Sequence, residues 1–327
     1  MKRNLCPFAL LPAIYYTVVP PTVANAQKMY WTDRGSSKIQ RANLDGTGVE
    51  DLLVTSVYEP VSIALDLARG KMYWTEASLA DFMISRANLD GTNLEFLITG
   101  LFEPSGIALD TSAGKLYWTD VGTGKISRIN VDFGGGEDIV NDPSLDAIEI
   151  ALDVPAGKLY WTGSTPAGSK IFRANLDGTN IQVLVTGLVS ASGIALDTSR
   201  GKMYWTDRGA NKIQRANLDG SQVEDVVTTS LKEPVRIALD LVARQIYWTE
   251  ASPADFMIFR ANLDAPGGQA LVTGLTSPSG IALDAAAGPA IPATSSWGLA
   301  AMAIALATAA TLTLRRSAKV RIVHAMS

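Results

Sequence analysis

Short apolar runs of four kinds follow one another along this chain, always in the same order. The first ends in IALD, the second is aromatic and reads KMYWTD or QIYWTE, the third reads KIQRANLDG and the fourth resembles VEDVVTT. Apolar and polar positions alternate in MYWT and KIQRA, which predicts β-strands that are half buried on each side. Gly and Asp stand at every junction, as in DTSRGK between the first and second runs and NLDGT between the third and fourth. Such turns require residues that tolerate positive φ.

The aromatic run recurs at Tyr30, Tyr73, Tyr117, Tyr160, Tyr204 and Tyr247, at intervals of 43 or 44 residues. A period of that length with four strands per copy predicts a β-propeller of six blades rather than a helical solenoid. The array is offset by one strand: residue Gln27 leads directly into a second-type run, and a lone first-type run, Pro278 to Asp284, follows the sixth copy. That offset predicts an all-β ring over residues 27–284, closed by pairing its two ends, which removes the open sheet edges of a linear array. Copies one, three and five carry short segments after the aromatic run (DRGSSK, DVGTGK, DRGANK). Copies two, four and six carry longer ones (EASLADFM, GSTPAGSK, EASPADFM), read here as longer loops on a two-blade unit used three times.

These residues resemble the low-density lipoprotein receptor class B, or YWTD, repeat, over the whole span from Gln27 to Asp284. The resemblance implies a six-bladed β-propeller. The cysteine-rich modules that flank the repeat in animal members are absent.

Six of the seven tryptophans are the YWTD tryptophans, one per copy. A residue present in every blade cannot mark one site, so these and the preceding tyrosines are read as core. The position after Thr is Asp33, Asp120 and Asp207 in three copies, Glu76 and Glu250 in two, and Gly163 in one. It is read as a hydrogen bond or ion pair tying a loop or neighbouring blade, lost in the Gly163 copy. The NLDG aspartates lack the spaced acidic series of a calcium loop and are read as capped turns, so no metal or cofactor is expected.

A formal charge of −4 and a pI near 5.2 exclude a nucleic-acid partner. Cys6 is the only cysteine and His324 the only histidine, both outside the repeats. The body therefore lacks disulfides, a Cys/His zinc site and the axial histidine that propeller enzymes commonly use. No catalytic residues are assigned, and the chain is read as a non-enzyme.

Candidate binding residues come from the face that carries the loops after the second strand and before the first. Ahead of the IALD runs, alternate positions are glycine while the others are Ser62, Glu149 and Arg236, which predicts either an asymmetric polar mouth around the axis or a structural pairing of Glu149 and Arg236 with each other or with nearby loops, the loop phenylalanines then tucking under their own turns. Arg34 and Arg208, with Phe82 and Phe256, add anchors of the kind that partners use. The function expected is a non-catalytic binding module for an extracellular protein or glycan. The alternatives are a structural surface component without a ligand and, behind it, a carboxylate-based hydrolase in which Glu149 pairs with an IALD aspartate.

Both ends read as addresses. Residues 1–26 combine Lys2 and Arg3, an apolar stretch and Ala24-Asn25-Ala26, the pattern of a secretory signal cut after Ala26. After a linker over 285–296, residues 297–314 are uncharged, about 27 Å long as a helix, and are followed by Arg315 and Arg316 in a basic tail over 315–327. A transmembrane helix with the repeats outside is expected from the positive-inside rule. This tail also resembles the IPTL-CTERM sorting signals of bacteria, through Ile291, Pro292, Trp297, Gly298, Arg315 and Arg316. The resemblance implies a bacterial envelope or surface location and a sorting protease as partner, although Ala293 and Thr294 replace the usual Thr and Leu.

Overall fold

The computed structural model describes residues 27–284, apart from 55, 56, 79, 80, 230, 254 and 266. The expected signal segment, linker, membrane helix and sorting residues, with Cys6 and His324, lie outside the described residues. No helix among the described residues is long and apolar enough to cross a membrane.

Blade I begins with β1 (Lys28–Asp33), β2 (Lys38–Asn43) and β3 (Glu50–Leu53). Blade II consists of β4 (Pro60–Asp66), β5 (Lys71–Ser78), β6 (Asp81–Asn88) and β7 (Glu95–Ile98). Blade III consists of β8 (Pro104–Asp110), β9 (Lys115–Asp120), β10 (Lys125–Asn130) and β11 (Gly134–Asn141). Blade IV holds β12 (Asp146–Asp153), β13 (Lys158–Thr165), β14 (Gly168–Asn175) and β15 (Gln182–Leu188). Blade V holds β16 (Ala191–Asp197), β17 (Lys202–Asp207), β18 (Lys212–Asn217) and β19 (Glu224–Val227). Blade VI holds β20 (Pro234–Asp240), β21 (Gln245–Ser252), β22 (Asp255–Asn262) and β23 (Gln269–Val272), and the last strand is β24 (Pro278–Leu283).

Each blade is a four-stranded antiparallel sheet, and blade I has the order β24-β1-β2-β3. The ring therefore closes as the sequence offset implies: Met29 pairs with Leu283, Tyr30 with Ala282 and Trp31 with Ile281. The IALD strands are innermost and touch in cyclic order β4, β8, β12, β16, β20, β24. The segments read as longer loops in blades II, IV and VI are instead extended hairpins. In blade II, β5 and β6 pair out to Ser78 and Asp81, and Ala77 lies opposite Phe82.

The repeated tetrapeptide gains its meaning at the joints between blades. Successive residues of a strand point to opposite faces of its sheet, so Tyr and Trp of one YWTD run pack on different neighbours. Tyr30 of blade I shares a core with Trp74 of blade II. Tyr247 of blade VI shares one with Trp31 of blade I. All six interfaces repeat this arrangement, one Tyr and one Trp in each.

The buried Thr between Trp and the acidic residue bridges the inner strands. Thr32 accepts from Gly280 N–H in its own blade and donates to the Val61 carbonyl of the next. Thr75, Thr119, Thr162, Thr206 and Thr249 do the same, and the six hydroxyls donate over 2.5–3.1 Å. Farther out, the arginine of each third strand donates to the carbonyl of the residue that follows the third strand of the next blade, from Arg41 to Leu89 round to Arg260 to Leu44, at 2.9–3.2 Å. The NLDG aspartates cap their own turns: Asp45 accepts from the N–H and hydroxyl of Thr47.

Candidate functional site

Of the two arrangements expected around the axis, the structure has the paired one. Ser62, Glu149 and Arg236 sit on alternate inner strands, β4, β12 and β20, and all three are buried. The Arg236 Nε is paired with Glu149 Oε2. Its other two nitrogens extend as a fork, Nη1 donating to Ser192 Oγ at 2.9 Å and Nη2 to Ser105 Oγ at 3.0 Å. Ser62 Oγ donates to the Glu149 carboxylate at 3.2 and 3.3 Å.

Burial pushes the Glu149 carboxyl above the ordinary glutamate value of 4.5, against the pull of the Arg236 guanidinium. Five inner strands, β4, β8, β12, β16 and β20, thus contribute to one charge-neutral plug. Its polar atoms are directed at one another, which leaves little surface for a partner of protein size.

The acidic residue after each YWT sits where the chain enters the same blade. Asp120 accepts from Phe102 N–H at 3.1 Å, Glu103 N–H at 3.3 Å and Thr123 N–H at 3.2 Å. Asp33 does the same work at the ring closure, accepting from Thr276 N–H and hydroxyl and from Ser277 N–H. In blades II and VI the longer Glu76 and Glu250 also take the neighbouring tryptophan N–H, from Trp74 and Trp248 at 2.8 Å each. Blade IV has Gly163, and a Cβ there would stand 2.7 Å from Leu145 Cδ1. Leu145 fills the place of the carboxylate, and Trp161 Nε1 has no hydrogen-bond partner.

By holding residues 102 and 103, Asp120 builds one wall of a groove of about 560 Å³ across blades I to III. Phe102 lies over Gly122, where a Cβ would come within 2.1 Å of the ring. Phe82 stacks against Phe102 with centroids 6.3 Å apart and planes 20° from parallel. Phe102 remains 60% exposed. Arg34 borders the groove and donates to Glu59 Oε2 through Nε at 3.0 Å and Nη2 at 2.6 Å. Ser105, the acceptor of the plug arginine, lines it as well.

The sequence candidates therefore fall into two groups. Ser62, Glu149 and Arg236 meet in the plug, and Arg34 meets Phe82 in the groove. Arg208 and Phe256 occupy the corresponding places on blades V and VI, with Arg208 held by Glu233 at 2.6 Å. There, however, Thr276 and Ser277 stand where blade III has Phe102 and Glu103, and the third counterpart is Val189-Ser190. Phe102 and Glu103 were not among the sequence candidates. The signal that could have found them is the departure of LFEP from its counterparts LVSA and LTSP.

Among the described residues no cluster of His, Cys, Asp or Glu could hold a metal ion. The arrangement offers instead an aromatic surface, a hydroxyl and carboxylates beside one another, which is chemistry for binding.

Three segments, residues 27–67, 70–111 and 201–241, match the family described as low-density lipoprotein receptor repeat class B. The chain is similar to low-density lipoprotein receptor-related protein 5 of Mus musculus, 46% identical over 50 residues, covering 15% of this chain and 3% of that protein. It is similar to nidogen-2 of Mus musculus, 37% identical over 70 residues, covering 21% of this chain and 5% of that protein. This chain thus spans a small part of either relative's length. Among solved structures, one of a nidogen/laminin complex superposes with a TM-score of 0.70 at 22% identity, covering 79% of this chain and 98% of that one. The chain thus shares the six-bladed propeller fold with that structure, and three of its segments match the class B repeat.

Proposed function

We propose that this six-bladed ring, three segments of which match the low-density lipoprotein receptor class B repeat, is a non-catalytic binding module whose ligand is an extracellular protein, held in the groove of blades I to III. The observation that carries this reading is the Phe82–Phe102 stack with Glu103 beside it, a combination that the counterpart junctions Val189-Ser190 and Thr276-Ser277 lack. A residue found in every blade serves the ring, whereas a combination found in one place, such as Phe82 stacked on Phe102 beside Glu103, is free to serve a ligand. Exposed aromatics on a rigid wall are efficient anchors, because little side-chain freedom is lost on binding.

A propeller of this fold in a nidogen/laminin complex supports a protein as the ligand class. The signal-like residues 1–26, the apolar span 297–314 and the sorting-like Ile291, Pro292, Trp297, Gly298, Arg315 and Arg316 support export and anchoring at a bacterial envelope, with the ring outside. Under this reading Arg34 and Phe82 line the main site, Arg208 and Phe256 form a lesser counterpart, and Ser62, Glu149 and Arg236 hold the floor in place.

The test is cross-linking capture of envelope proteins by the full chain in mild detergent, with circular dichroism as the check on folding. Wild type and an Arg208→Ala/Phe256→Ala variant should capture the same partner, and a Phe82→Ala/Phe102→Ala variant should lose it. Equal capture by all three would remove the groove from the function.

A further inference from the structure

We infer that the groove takes an extended protein segment bearing a lysine or arginine next to an apolar residue, with the cation on Glu103 and the stem over Phe102. This rests on the binding-module reading and adds the chemistry of its ligand.

Charge decides the sign. Three ionisable side chains border the groove: Arg34, Glu59 and Glu103. Arg34 is already engaged by Glu59 through two hydrogen bonds, so those charges answer each other. Glu103 has an exposed side chain and makes no ion pair among the described residues, which leaves one unanswered carboxylate on the rim. An anionic ligand would have to displace Glu59 from Arg34 while facing Glu103. A cation meets no such competitor.

Shape and surface decide the rest. The exposed face of Phe102 lies beside that carboxylate, and a lysine or arginine over an aromatic ring is attracted by the ring's negative face while its methylenes cover apolar surface. Behind it, Phe82, Ala77, Val61 and Pro104 supply apolar wall for an adjoining side chain. The volume falls within the roughly 300–1,000 Å³ typical of small-ligand sites, enough for a short stretch of side chains rather than a folded domain. Because Asp120 fixes the backbone of both Phe102 and Glu103, ring and carboxylate keep their relation before anything binds.

The counterpart on blades V and VI supplies an internal comparison. It keeps Arg208–Glu233 and Phe256 but has Thr276 and Ser277 for the exposed ring and the carboxylate, so it should not share the preference for cations.

The experiment is fluorescence anisotropy on the full chain in mild detergent, with three labelled nine-residue peptides that have Lys, Gln or Glu between two leucines in neutral flanks. The Lys peptide should bind about tenfold tighter than the Gln peptide, with the Glu peptide weakest, and the preference should shrink as salt is raised. Glu103→Gln should bring the Lys and Gln peptides level, and Phe102→Ala should weaken both at least fivefold.

Binding that depends on Phe102 but shows no preference for Lys, or tighter binding of the neutral oligosaccharide maltohexaose than of any peptide, would overturn the ligand class and leave the binding module standing. No Phe102-dependent binding of any probe up to about 1 mM, a standard free energy near −4 kcal/mol, would overturn the inference itself. The capture experiment on the groove then decides separately whether the module reading falls with it.

Discussion

Changing Arg236 to Met while Glu149 remains is the most demanding test of the plug. The methionine keeps the apolar stem but leaves a buried carboxylate with only Ser62 as side-chain donor, and it strips Ser105 and Ser192 of theirs. Removing one partner of a buried ion pair costs about 3–5 kcal/mol, because the other charge stays in a medium that solvates it poorly. For a domain of this size that is a fall in melting midpoint of about 6–20 °C. Glu149→Leu alone strands the guanidinium and should cost a similar amount.

The double variant Glu149→Leu/Arg236→Met removes both charges. Replacing a whole buried pair by apolar groups is often nearly neutral, so it should lie within about 1–2 kcal/mol of wild type, with a coupling of about 4 kcal/mol or more. Urea unfolding of the four proteins, followed by fluorescence of the buried tryptophans at unchanged m-value, measures the cycle. Single variants costing less than about 1 kcal/mol, with an additive double, would mean that the pair is hydrated and that the axis is not sealed as described.

Two further outcomes follow from the same parts. Gly163→Glu restores to blade IV the residue of blades II and VI, yet it should destabilise by about 1–3 kcal/mol because its Cβ meets Leu145. Pairing it with Leu145→Ala should recover most of that loss, and a fully additive double would refute the contact. For Glu149, a pKa raised above 4.5 means that the folded protein holds the proton more tightly than the unfolded chain. Its contribution is complete below that value and lost as pH rises through the folded pKa. The stability of wild type relative to Glu149→Gln should therefore decline as pH rises above 4.5, and a difference that climbs in that direction would reverse the assignment.

What the sequence could reveal depended on whether the information was repeated. Trp31 and its five equivalents, the 43–44 residue spacing and the displaced IALD run are repeated features, and together they specify blade number and closure. Thr32 and its equivalents were equally visible but chemically ambiguous, since a Thr in a strand is ordinary and its bridging role depends on the approach of the next blade. The plug residues stood out by type and their pairing was one of two arrangements open to them; the burial that decides between the two joins positions 149 and 236, and no local pattern encodes it. Phe102 and Glu103 were masked for the opposite reason. Glutamate recurs there as Glu59 and Glu233 and an aromatic as Tyr58, in junctions that pattern reading treats as punctuation, and only comparison with Thr276-Ser277 and Val189-Ser190 brings Phe102 and Glu103 out. The acidic residue after YWT was read as tying a loop or neighbouring blade. Its partners are backbone N–H groups of the entering segment, geometry invisible until that segment has a place.

The seam between β1 and β24 also settles how the ring is presented. Lys28 and Leu283 lie at the same end of their antiparallel pair, while Asp33 and Pro278 lie at the other, and it is beyond Asp33 that Arg34 reaches the groove. Both points of departure from the ring are therefore on the face away from Phe102. A tether joined at either end would leave the groove pointing outward, clear of its support, and a load applied through both ends together would open the seam one residue pair at a time, like a zip, without first disturbing the ligand face.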